Sequence, residues 1–117
     1  MTVNEKIIAA LSPVVPVVVP GVYRPIKGAG AKEYIDFSYT SSPADFADDT
    51  PDAEVYQVIV RYTCPPRQDS LATRRRIKRA IAGIEGGVWP SEIDISDEDA
   101  QGYAYEFELA CPIEEDV

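Results

Sequence analysis

VYQVIVRYTCPPRQDSLATRRRIKRAIAGI, residues 55–84, changes its apolar period half-way along, and that change decides the fold class. Up to Cys64 the pattern alternates, with Tyr56, Val58, Val60 and Tyr62 on one side and Val55, Gln57, Ile59 and Arg61 on the other. A two-residue period marks a strand. Both sides are partly apolar, so this strand is expected at the centre of a sheet and covered on each face. Pro65 and Pro66 stop it, because proline has no N–H for the ladder. Asp69 or Ser70 can then cap a helix. Leu71, Ile77, Ala80, Ile81 and Ile84 form its expected buried stripe, and Gly83, Gly86 and Gly87 end it.

Upstream, Thr2 and Glu5 have the spacing of a capping box, and Val3, Ile7, Ile8 and Leu11 share one helical face. Ser12 and Pro13 end this short helix. Residues 14–19 are β-branched but interrupted by Pro16, which suits a sheet edge or an extended arm. Residues 28–31 read as a small connector without the spacing of a phosphate loop. In residues 33–40, Ile35, Phe37 and Tyr39 alternate with Asp36, Ser38 and Thr40, a second strand. Residues 41–54, rich in proline, aspartate and alanine, are expected to form a long flexible acidic loop.

Downstream, residues 88–95 suggest a strand and residues 97–102 a turn. Tyr103, Tyr105, Phe107, Leu109 and Cys111 alternate with Ala104, Glu106, Glu108 and Ala110, and residues 114–117 form an acidic tail. The order is helix, three strands, helix, two strands. Clustered rather than alternating elements predict an α+β domain spanning residues 1–117: a mostly antiparallel four- to five-stranded sheet with two helices packed on one face.

Composition narrows the chemistry. The 117 residues contain no histidine, so Ser-His-Asp and Cys-His arrangements are excluded. Carboxylate pairs exist, but nothing in the sequence sets two of them around a pocket. No catalytic or cofactor-binding set is assigned, and no enzyme activity is expected. Twenty acidic against eleven basic residues give a net charge of −9, so the average surface repels phosphate. Such a surface suits a wall past which DNA slides, and equally plain solubility. Cys64 and Cys111 each precede a proline and form no CxxC pair; two reduced apolar fillers are expected, and no zinc site. The apolar run 14–22 is too short to span a bilayer and holds Pro16 and Pro20. Asn4, Glu5 and Lys6 do not form a basic leader, so a soluble protein is expected.

Three charged groupings merit weighing. Asp97, Asp99, Gln101, Gly102 and Glu108 stand at the first, third, fifth, sixth and twelfth places of an EF-hand-like loop. Gln101 is an unusual ligand, and the strand period through Leu109 would carry Glu108 roughly 20 Å from Gly102. An acidic hairpin turn is expected there instead, with no metal. Asp45, Asp48, Asp49 and Asp52 surround Phe46, a grouping suited to docking on a neighbour with Phe46 as anchor. Arg74, Arg75, Arg76, Lys78 and Arg79 hold five of the eleven basic residues. They suit a solvated outer face, bidentate pairing with acidic loops of another subunit, or contact with phosphates.

The runs KEYIDFSYTSSPADFADDTPDA (32–53), EVYQVIVRYTCPP (54–66), LATRRRIKRAIAGI (71–84) and DEDAQGYAYEFELACPIEED (97–116) together resemble the small tail-terminator and minor tail (tail-completion) proteins of long-tailed bacteriophages and prophages. The resemblance covers residues 1–115 and rests on architecture: an N-terminal helix, a Y-I-x-F strand, the FADD segment, a V-x-V-x-Y strand, an L-x5-I-x3-I helix and a tyrosine-rich last strand. Residues 14–25 depart from it. It implies a structural virion protein that forms a ring, commonly a hexamer, at the end of the tail tube. Its partners would be copies of itself, the tail-tube protein and head-completion or connector proteins, with DNA crossing the channel without specific binding and no membrane involved. It implies location in the virion tail or neck, and in host cytoplasm during assembly. The alternatives are a small nucleic-acid-binding module using residues 74–79, and a head-side completion or neck protein.

Overall fold

Nine residues, Val3–Leu11, form helix α1. The hydroxyl of Thr2 accepts from the Glu5 N–H at 3.2 Å, and the Thr2 N–H donates to Glu5 Oε1 at 3.4 Å, completing the expected capping box. Val3, Ile7 and Leu11 are buried. The computed structural model describes residues 2–23, 32–47, 50–84 and 87–112, with the backbone alone for residues 42–47, 50–53 and 111–112. The connector at 28–31, Asp48, Asp49, Gly86 and the tail at 114–117 lie outside the described residues.

Strands β1 (Val18–Pro20), β2 (Tyr34–Ala47) and β3 (Thr50–Cys64) precede helix α2 (Leu71–Ala82), which is followed by β4 (Ser91–Asp94) and β5 (Gln101–Pro112). The sheet order is β1-β2-β3-β5-β4; β1 runs parallel to β2 and every other pair is antiparallel. The proline-bearing run thus supplies an edge strand, one of the two places open to it. At its end Gly21 has φ 85°, and its N–H reaches the Phe37 carbonyl at 2.7 Å. A side chain would be strained in that left-handed conformation.

One face of the sheet is the core. Ile35, Tyr62 and Tyr103 form one row across β2, β3 and β5, and Phe37, Val60 and Tyr105 the next. With Val58, Phe107, Tyr56 and Leu109 they pack against Val3, Ile7 and Leu11 of α1 and Ile77 and Ile81 of α2, with Ile84 just beyond. The fold is α+β with both helices on one face, as the periodicity predicts.

Three expectations are corrected. Residues 41–47 and 50–54 are strand rather than loop: β2 and β3 stay paired from Ser41↔Tyr56 to Ala47↔Thr50. A regular ladder satisfies the backbone better than a fourteen-residue loop would. Pro43 is tolerated because odd-numbered residues of β2 point their N–H away from β3, toward the β1 side, as Ile35 does at 2.8 Å to Val17 O. Second, β3 is central but covered on one face only, and Ile59 on the other is 37% exposed. An apolar residue among Ser38, Gln57 and Glu106 reflects strand propensity rather than burial. Third, Leu71 is 47% exposed, so the buried stripe of α2 starts at Ile77. Six residues at about 100° each put Leu71 roughly 120° off that stripe.

β4 is shorter than residues 88–95, because Pro90 brings no N–H; one further bond, Ile95 N–H to Gly102 O at 2.8 Å, extends the hairpin. Gly87 lies where an added Cβ would come 2.6 Å from the Ile81 carbonyl oxygen, so only glycine fits.

Urea denaturation should separate the two ends of α2. Ile81→Ala is expected to cost about 2–5 kcal/mol by leaving a cavity. Leu71→Ala should stay within about 0.5 kcal/mol.

Candidate functional site

The basic run on α2 is largely engaged within the chain. Arg74 donates to Glu92 of β4 through Nη2 at 2.7 Å and through Nε at 3.3 Å, and Lys78 lies 3.9 Å from the same carboxylate. The Tyr105 hydroxyl donates to Glu92 Oε2 at 2.6 Å. The Arg74 guanidinium also stacks 4.0 Å from the centre of the Tyr103 ring, a cation–π contact. Hydrogen bonding from Arg74 holds the Glu92 carboxyl below the usual glutamate range, while burial and the Glu92 contact push the Tyr105 phenol up. Arg76 reaches back to the Pro13 carbonyl at 3.2 Å, tying α2 to the turn after α1. Of the five basic residues expected at an interface, Arg74, Arg76 and Lys78 are therefore engaged within the fold. Arg75 and Arg79 are exposed, one helical turn apart, with no side-chain partner among the described residues, and Arg76 is exposed beside them.

Two further polar clusters lie at the β3–α2 crossover. The Gln101 amide donates to the carbonyls of Pro65 (3.0 Å), Pro66 (3.3 Å) and Gln68 (2.6 Å), and its oxygen accepts from Ser70 (2.9 Å) and Tyr103 (2.8 Å). Ser70 is thereby diverted from capping α2, and Asp69 accepts from the Leu71 N–H at 3.3 Å instead. Glu33 accepts from the Tyr62 hydroxyl at 2.5 Å and from Gln68 at 2.6 Å. Burial, with Glu33 beside it, raises the Tyr62 phenol.

These placements disperse the EF-hand-like positions. Asp97 caps its own turn, accepting from the N–H groups of Asp99 (2.8 Å) and Ala100 (2.9 Å). Gln101 is committed to the crossover, and Glu108 accepts from Gln57 at 2.8 Å on the open sheet face. Among the described residues no three acidic or thiol side chains gather as metal ligands. Asp45 and Asp52 fall within β2 and β3, their side chains and that of Phe46 lying outside the description. Asp45 is ten residues along β2 from Ile35, whose row ends at Tyr103 under Arg74. At ~3.3 Å per residue this is roughly 33 Å, so acidic hairpin and basic helix do not meet within one chain.

The sheet face away from the helices carries Asp36, Ser38 and Thr40 from β2, Gln57, Ile59 and Arg61 from β3, and Glu106 and Glu108 from β5, with Gly21 and Tyr23 reaching Arg61 and Asp36 at one end. Arg61 pairs with the buried Asp36 at 2.7 Å, which neutralises one end. Toward the hairpin a shallow depression of about 370 Å³ is bordered by Ser38, Thr40, Gln57, Ile59 and Glu106. Trp89, 60% exposed, lies with exposed Val88, Ile93 and Ile95 in and around β4.

The chain matches no protein-family model and no curated protein. Its cysteines are set apart by the fold itself: Cys64 pairs with Gln101 and Cys111 with Glu54, so they stand ten residues apart along the β3–β5 ladder. That is roughly 34 Å, far beyond disulfide reach. No helix among the described residues is long and apolar enough to cross a membrane.

Glu92→Gln should cost about 1–3 kcal/mol in urea melts at neutral pH. Because the folded-state value is depressed, the Glu92 contribution is complete above the ordinary glutamate pKa of about 4.3 and lost as pH falls through the depressed value. Wild type should therefore lose stability below about pH 4 more steeply than Glu92→Gln. For the raised tyrosines the sign reverses: their contribution is complete below about pH 10 and fades above it. Melts at pH 9 and 11 would show this, with the tyrosinate absorbance of Tyr62 and Tyr105 appearing only on unfolding.

Proposed function

We propose that this chain is a structural virion protein, a tail-terminator or tail-completion subunit of a long-tailed phage or prophage. It caps the tail tube as an oligomeric ring, commonly of six copies, and forms the surface at which head and tail join. Its partners are its own copies, the tube protein and head-completion proteins, and DNA crosses its channel without specific contact.

The observation that carries this proposal is the one-sided sheet. Helices cover one face, and the other presents Glu106 and Glu108, both exposed. Turned inward in a ring, that face makes an acidic wall from which phosphate is repelled. Separation of the aspartate-bearing ends of β2 and β3 from the basic helix supports the same reading, since opposite charge at the two ends of the sheet suits different partners above and below the ring. Exposed Val88, Trp89, Ile93 and Ile95 offer apolar area for further neck contacts. Use of the helix for nucleic acid is weakened, because Arg74 and Lys78 are already paired with Glu92.

Phage assembled without the protein should yield overlong or headless tails, visible by negative-stain imaging. Tails of normal length with heads attached would sink the proposal. Arg75→Glu combined with Arg79→Glu should weaken attachment of the ring to its neck or tube partner at low salt at least tenfold with little change in melting temperature. A salt-sensitive DNA gel shift without any oligomer would instead favour the nucleic-acid module.

A further inference from the structure

We propose that copies of this chain join edge to edge, the bare length of β5 in one copy pairing in parallel with the bare length of β2 in the next. The inference rests on the ring reading and names the joint that would hold the ring together.

Backbone direction identifies the two free edges. Ile35 N–H bonds to Val17 O at 2.8 Å and Gly21 N–H to Phe37 O at 2.7 Å, so odd-numbered residues of β2 face the β1 side. β1 ends at Pro20, and beyond the Gly21 bridge the N–H and C=O groups of Tyr39 and Ser41 face outward. On the other flank, Ile95 N–H bonds to Gly102 O at 2.8 Å, so even-numbered residues of β5 face β4. The β4 ladder stops at Ser91↔Glu106, leaving Glu108 and Ala110 facing outward. No strand lies beside these four residues among those described.

The two edges lie at the same height. Tyr39, Val58 and Phe107 share a row, as do Ser41, Tyr56 and Leu109. The sheet is thus five strands wide at one end and three at the other, with both flanks open at the same level. β2 and β5 are each antiparallel to β3 and so run the same way. A neighbour in the same orientation brings its β2 alongside β5 with no step.

Natural edges are usually guarded by lysine, proline or a bulge. Residues 38–42 of β2, SYTSS, contain no charge and no proline, and their register with β3 has no bulge, so the open stretch runs to Pro43, the next outward position and one without an N–H. Charge selects the partner. Two-fold pairing of β5 with β5 centred on Glu108 would set that carboxylate against its own copy. Pairing β5 with β2 sets the Glu108 carboxylate beside Thr40 of the neighbour, on the same sheet face, where the hydroxyl can donate. A head-to-tail contact of this kind closes into a ring when the rotation between copies divides a full turn.

Ser41→Pro and Ala110→Pro each remove an outward N–H while sparing the bonds to β3. By sedimentation velocity the wild type should assemble, and each variant alone should weaken self-association at least a hundredfold with near-native circular dichroism. Mixed one to one, they should form a heterodimer and nothing larger, since each retains the edge the other lacks. Ser41→Lys and Ala110→Lys, which guard the same edges without altering the backbone, should give that pattern too and serve if a proline variant fails to fold. Wild-type-like assembly of either edge variant alone would overturn the joint, and so would a wild type that stays monomeric at millimolar concentration. Normal tails in the absence of the protein would instead defeat the cap while leaving the joint intact.

Discussion

Alternation along β3 sets the rest of the molecule. Tyr56, Val58, Val60, Tyr62 and Cys64 all point to the helices, and each shares a row with residues of β2 or β5. Because the side-chain period is two, a slip of one residue would turn Gln57 and Arg61 toward the core and Val60 and Tyr62 toward water. The same register sets Arg61 opposite Asp36 and Gln57 opposite Glu108, so polar pairs on the open face and apolar rows on the covered face specify one alignment. Correct pairing on one face enforces it on the other.

Polar side chains then hold the connections that an apolar core leaves loose. A crossover containing two prolines has carbonyls with no helical or strand partner, and the two hydrogens of the Gln101 amide are directed among three of them, the longest contact, to Pro66, sharing a hydrogen. Glu92 collects the charge of α2 and the Tyr105 hydroxyl at one point, which fixes the helix over β4 and β5. Satisfaction of buried groups is close to complete: no buried side-chain nitrogen or oxygen among the described residues lacks a partner.

The element order, α1 with its cap and the central place of β3 were legible because each depends on local period, while the edge place of β1 was one of the two readings its prolines allowed. The hairpin was not. Proline, aspartate and alanine in residues 41–54 look like loop composition, and only pairing with the opposite strand, a non-local fact, makes them strand. Leu71 misled because a residue at a helix start is counted into the stripe by hydrophobicity although its angle is wrong. For the candidate site, basic clustering on α2 was readable but its use was not. Glu92 is eighteen residues from Arg74, and no periodicity links them. A cross-strand signal did exist for Arg61 and Asp36, opposite charges on the same side of adjacent strands, once their alignment is known.

Cys64 has a consequence of its own. It is fully buried at the end of β3, and burial raises its thiol above the ordinary range, so the nucleophilic thiolate is scarce while the strand stays closed. With Cys111 on the far side of the ladder, oxidants cannot staple the chain internally. Alkylation at Cys64 therefore works as a clock, ticking only when the crossover end of the sheet comes open.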